Sequence, residues 1–178
     1  KCKYIILAIL LSLTTSLLLS QNFQNDFKTL HSKADTAGQI KLLQKWENSK
    51  PNDPELFIAY FNFYAQQSMT EIISIDQSKK SDQSFQITDT GTGNPVAYLN
   101  SSVKYNSAVL QIGFDYIEKG INLFPTRLDM RFGKIYMLGE AENYEEFTKV
   151  LVATIEYGNS INDIWTWKEG KPLEDAKQ

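Results

Sequence analysis

Gly113-Phe-Asp-Tyr-Ile-Glu-Lys-Gly120-Ile-Asn-Leu-Phe-Pro125 is the stretch on which the reading of this chain turns. Gly113, Ile117, Gly120 and Pro125 stand at offsets 0, 4, 7 and 12. Phe147, Leu151 and Thr154 repeat the first three offsets 34 residues later, and Gln39, Leu43, Trp46 and Pro51 show all four 74 residues earlier. One period plus an insertion of about forty residues accounts for the longer gap. A fixed period of this length marks stacked helix pairs, because one pair cannot bury its apolar face alone. Small residues let two helices approach closely, while Ile117 and Leu151 fill the space between them.

Apolar residues recur at helical spacing outward from that stretch. Phe23, Phe27 and Leu30 form one set and Ile40, Leu43 and Trp46 a second, with a turn expected at Ala37-Gly38. Asp53 is an expected N-cap with Pro54 in the first turn, opening a helix to about Gln67 that carries Phe57, Tyr60, Phe61, Phe63 and Tyr64. Aromatics on most sides of that helix point to burial between neighbours. Then the period changes. Glu71–Ile75, Ser84–Thr88 and Val96–Leu99 are short runs of β-formers, and Asp89-Thr-Gly-Thr-Gly-Asn-Pro95 is a turn cluster. Residues 71–99 therefore read as a small β-hairpin or three-stranded meander with a polar linker at Gln77–Gln83, which is the insertion that the period requires. Helical spacing returns from about Ser102 to Leu123 and from Arg127 to Leu138, where Gly139 is the expected stop; a last helix runs from about Tyr144 to Tyr157.

On these residues the chain resembles a tetratricopeptide (TPR) repeat protein. Phe114 to Pro125 is similar to the second helix of a TPR unit with its closing proline. Gly133-Lys-Ile-Tyr136 with Leu138-Gly139 resembles the first helix of the next unit, and Tyr144 and Phe147 the start of its partner. The arrangement also resembles the N-terminal part of exported TPR proteins of Bacteroidetes-type bacteria. The resemblance, over roughly residues 36–157 without the insertion, implies a mainly α fold: a TPR-like α-solenoid of antiparallel helix pairs carrying the small β insertion. It also implies a non-catalytic scaffold whose groove, lined by first helices, binds a protein or peptide.

Lys1 and Lys3 precede an apolar run from Tyr4 to Leu19, after which the chain turns polar at Ser20-Gln21-Asn22. That order describes a secretory signal peptide over residues 1–20 ahead of a domain at 21–178; its rival is an uncleaved anchoring helix, the one expected link to a membrane. The protein is accordingly expected to be exported, periplasmic or extracellular. The chain of 178 residues is 42% hydrophobic, too apolar for a disordered tail. Its 18 basic and 21 acidic residues give a charge of −3, and removing Lys1 and Lys3 leaves 16 against 21, or −5. Nucleic-acid binding needs a basic excess that is absent here. One Cys, Cys2, excludes an internal disulfide, and one His, His31, excludes a two-histidine site.

Candidate chemistry is thin, and neither a metal nor a cofactor is expected. Asp89-Thr-Gly91 resembles the loop of aspartic proteases, which need a second carboxylate from a second half that this chain lacks; a hairpin turn uses the same residues. Glu140, Glu142, Glu145 and Glu146 lack calcium-loop spacing and suit a helix N-terminus. Asn100-Ser-Ser102 is a formal glycosylation sequon. Arg127, Arg131 and Lys134 form a basic stripe on one helix that needs an answering group, either internal carboxylates such as Glu118 and Asp129 or an acidic peptide. The expected groove face comprises Arg127, Met130, Arg131 and Lys134. Asn62 falls where peptide-carboxylate-binding TPRs carry Asn, although Ile58 stands where they carry Lys. Trp165 and Trp167 either cover the end of the core or offer a sugar-stacking platform, which keeps open an envelope carbohydrate-binding or uptake role.

Overall fold

The computed structural model describes residues 22–174. The leader expected at 1–20 lies outside them. The described residues fall into two compact units that divide between Ser49 and Lys50.

The first unit holds α1 (Phe23–Ser32) and α2 (Thr36–Ser49). Asn22 caps α1 by accepting from the Asn25 backbone N–H at 3.1 Å. The Phe23 and Trp46 rings stack at 5.4 Å, nearly parallel, pinning the start of α1 to the end of α2. The turn lies at 33–35 rather than at Ala37-Gly38. Ala34 takes a left-handed φ of 54°, and Asp35 receives the Gly38 N–H at 2.8 Å, so Gly38 sits inside the first turn of α2.

The second unit opens with α3 (Pro54–Ser68), where Asp53 accepts from the Glu55 N–H at 3.1 Å and Pro54 occupies the first turn, as expected. It continues through β1 (Met69–Asp76), β2 (Phe85–Thr88) and β3 (Pro95–Tyr105) into α4 (Ser107–Leu123), α5 (Leu128–Glu140) and α6 (Tyr144–Ser160). The strands form one antiparallel sheet in the order β1-β3-β2, with Met69 opposite Tyr105 at one end and Ile75 opposite Leu99, which also faces Phe85.

The expected mainly α, TPR-like α-solenoid is therefore corrected. The fold is mixed: six α-helices and a three-stranded antiparallel sheet among the described residues. The sheet is larger than residues 71–99 and is no meander, since the last strand lies in the middle. Ser102, the expected start of a helix, stays in β3 because Val103 and Tyr105 continue the alternation; Asn106 is the true N-cap, accepting from the Ala108 and Val109 N–H groups. Gly139 does not end α5 either. The reversal falls at Glu142, with a φ of 57°, and the Asn143 N–H returns to the Leu138 carbonyl at 2.9 Å.

α3 and α4 approach closely because α4 carries glycines where they meet. A Cβ on Gly120 would lie 2.9 Å from Phe57 Cβ and 3.0 Å from Met130 Sδ; one on Gly113 would lie 3.2 Å from Tyr64 Cβ. Phe61, Leu110, Phe114, Ile117, Met130 and Leu138 form the core around this contact. The Asn106 N–H donates to the Ser68 carbonyl at 2.8 Å, so the feet of α3 and α4 are tied where the sheet begins.

One sheet face is closed by the 77–84 loop through Asn100. Its carboxamide oxygen accepts from the Lys80 N–H at 3.1 Å and from the Ser84 hydroxyl, and its nitrogen donates to Asp76 at 2.9 Å and the Ser78 carbonyl at 3.2 Å. The Lys80 ammonium, 2.8 Å away, then the Ser74 hydroxyl and the Asn100 amide hold the Asp76 carboxyl at about 2, below its ordinary 3.8. Burial of Asn100 also closes the sequon to a glycan.

Two outcomes follow from these contacts. Gly120→Ala lowers stability by about 1–3 kcal/mol in urea unfolding, because Phe57 Cβ is a fixed atom and the helices must part; an unchanged midpoint refutes the close approach. The Asp76 anchor acts above the unfolded-state value and is lost as pH falls through about 2. Cleavage of the 77–84 loop by an acid-stable protease therefore rises steeply as pH falls from about 4 to about 2, and Asp76→Asn shows the looser loop already at neutral pH.

Candidate functional site

The basic stripe of α5 is resolved three different ways. Arg127, the N-cap residue of α5, is only 4% exposed. Its Nε and one terminal nitrogen grip Asp129 at 2.8 and 2.7 Å, and that terminal nitrogen also reaches Glu55 on α3 at 2.8 Å. Burial works against its charge, but the hydrogen bonds to Asp129 and Glu55 overcome this and hold its pKa above the ordinary range. Arg127 is thus a clip between α3 and the start of α5. Met130, at 1% exposure, packs in the core against the Gly120 contact. The expectation that Arg127 and Met130 face a partner is corrected: neither presents surface to one.

Lys134 is paired internally, its Nζ 2.6 Å from Glu118 on α4. It lines a cavity of about 340 Å³ formed by residues of α4, α5 and the start of α6. Asp115, Glu118, Glu145 and Glu146 border that space against Lys134 and Lys149 alone, and Lys149 is 2.7 Å from Glu145. The cavity is acidic, so it does not answer to an acidic peptide.

Arg131 differs. No carboxylate pairs with it among the described residues. Its guanidinium carbon lies 4.6 Å from the Tyr157 ring centre and 5.7 Å from that of Trp165, and its Nε donates to the Pro125 carbonyl at 3.3 Å. Among the described residues its terminal nitrogens have no hydrogen-bond acceptor. The aromatic faces hold the plane of the cation without cancelling its charge. The expectation of a carboxylate partner for Arg131 is therefore replaced by an aromatic seat.

That seat is built by the segment after α6. The Thr166 N–H donates to the Thr126 carbonyl at 2.9 Å and its carbonyl accepts from the Leu128 N–H at 3.0 Å, laying the segment along the α4–α5 connection. Trp165 is buried against Tyr157 and Gly158. Trp167 instead meets Phe132 edge-on at 5.9 Å. The two indoles do not share an open stacking face, which removes the sugar platform and with it the observation behind a carbohydrate-binding role. Asn62 is exposed on α3. Asp89 spends its carboxylate on its own turn, accepting from the Gly91 and Thr92 N–H groups and the Thr92 hydroxyl. The sequence missed Glu55 as the partner of Arg127 and Tyr157 as the partner of Arg131; neither carries a local signal.

No family model, curated protein or solved structure matches this chain. Among the described residues no helix is long and apolar enough to cross a membrane, and no group of three or more His, Cys, Asp or Glu side chains is placed to hold a metal ion.

Removing the clip leaves two carboxylates beside a buried gap. Arg127→Met costs about 3–5 kcal/mol in denaturant unfolding. Adding Glu55→Gln to that variant returns part of the loss, and a double-mutant cycle measures the pair; strictly additive effects would mean that Glu55 and Arg127 are not coupled.

Proposed function

We propose that this chain is an exported, non-catalytic binding protein that holds a protein or peptide partner, with a carboxylate of that partner seated on Arg131. The observation that carries the reading is the unspent guanidinium edge over Tyr157 and Trp165. A guanidinium fixed in plane by aromatic rings offers a fork that matches a carboxylate with two parallel hydrogen bonds. Arg127 and Lys134 lend it no net positive charge, because Arg127 is held by two acids, Glu55 and Asp129, and Lys134 by Glu118. Recognition at this point therefore rests on one preoriented cation and on the apolar rim of Phe132 and Trp167 rather than on a basic surface. Export is supported by the order of basic residues, apolar run and polar start at residues 1–20.

The test is a displayed library of random peptides selected on the immobilised chain. Enriched peptides carry Asp, Glu or an essential free C-terminus, and their binding weakens about tenfold or more on Arg131→Gln, the equivalent of one charged hydrogen-bonded pair. Arg131→Lys, which keeps the charge and loses the fork, weakens it nearly as much. High salt reduces binding to the parent. Peptides without acidic groups, or equal binding to parent and Arg131→Gln at matched thermal midpoints, refute the role of Arg131.

A further inference from the structure

The two faces of the three-stranded sheet are unlike. Residues directly opposite in an antiparallel ladder point to the same side. The register therefore puts Ile72, Ser74, Asp76, Tyr98 and Asn100 on the face that the 77–84 loop closes. It puts Met69, Ile73, Ile75, Phe85, Ile87 and Val103 together on the other. That second face is open. Ile73 is 65% exposed, Ile75 67% and Phe85 73%, and the remaining three are exposed as well. One ionisable carboxylate lies among them, Glu71, and it accepts a hydrogen bond from the Ser101 hydroxyl of the same face at 2.7 Å.

We infer that this face packs against the same face of a second copy, forming a two-sheet sandwich about a twofold axis. At on the order of 100 Å² of apolar surface per large side chain, the six residues supply about 600 Å² per copy, or about 1,200 Å² in all. The total reaches the lower edge of specific interfaces, and about 600 Å² per copy stands at the upper end of the largest apolar patch of an ordinary monomer. The face carries no charge pattern that would select a charged partner. Glu71 is its one carboxylate, so two copies bring one such charge each rather than an array of like charges. A twofold contact needs one patch that complements itself, and a three-stranded apolar face with a single carboxylate meets that requirement. This inference does not depend on Arg131, which lies on α5.

The test is light scattering and sedimentation velocity on the full chain across dilution up to about 100 µM, a range that spans micromolar dissociation constants. The parent is a dimer that dissociates on dilution. Ile73→Lys on β1 and Phe85→Glu on β2 each place a charge in the contact and weaken it about tenfold or more. Because they lie on different strands, failure of one to fold leaves the other as the test. Gln86→Lys adds a charge to the closed face and leaves the dimer at parent strength. A parent that stays monomeric throughout, whatever else the face then binds, overturns the inference. So does a dimer that Ile73→Lys and Phe85→Glu leave intact, or one that Gln86→Lys disrupts as strongly.

Discussion

The close approach of α3 and α4 is the contact on which the rest of the second unit depends. Gly113 and Gly120 leave no Cβ between α4 and Phe57, Phe61 and Tyr64 of α3, and Met130 of α5 closes the same gap from the far side. The sheet follows from this as much as the helix packing does. Packed helices ordinarily lie 8–10 Å apart and paired strands about 4.8 Å. Two chains leaving such a helix pair can begin a ladder only if the helix ends are drawn together. The Asn106-to-Ser68 hydrogen bond does this, and the Met69–Tyr105 pair comes next in both directions. The sheet is thus an extension of the helix pair rather than an ornament on it.

Electrostatics divides the same helix into structural and available parts. Arg127 and Lys134 sit seven residues apart on α5 and are both answered by acids from other elements, Glu55 on α3 and Glu118 on α4. Such pairs fix geometry and cancel charge. The aromatic seat of Arg131 fixes geometry and leaves the charge in place, because a ring quadrupole attracts a cation without accepting its hydrogen bonds. The difference between these cations is invisible in their spacing and decisive for what each can do.

Sequence reasoning reached what local pattern encodes. The repeat offsets singled out Gly113 and Gly120, and both turned out to mark helix contacts, because a small residue in an apolar helical row has few other uses. Asp53 and Pro54 announced α3 by capping chemistry alone. The failures share a cause as well. Strand order β1-β3-β2 depends on β1 pairing with partners 22 to 36 residues away in β3, and period-2 alternation says nothing about which neighbour a strand chooses. The Gly38 turn was misplaced because Asp35 can cap from three residues away, and glycine tolerates a helix's first turn as readily as a loop. Glu55 and Tyr157 were missed because a partner 72 or 26 residues distant leaves no trace in the spacing around an arginine. The repeat offsets treated the β segment as a gap in the period and so carried no information about how its strands pair.

The sheet's own chemistry separates folding from surface. Its register is set on the closed face, where Asn100 must reach Asp76, Ser78, Lys80 and Ser84 at once. A slip of one residue would turn Asn100 to the other side and break all four of these hydrogen bonds. That polar set alone specifies one pairing, so the open face is not needed to choose it. Ile73, Ile75 and Phe85 therefore contribute little to the register while exposing a broad apolar surface to water, and serine or threonine would serve the strand as well. An apolar face that the fold does not require, on a sheet whose register is already secured from behind, is accounted for by association rather than by folding.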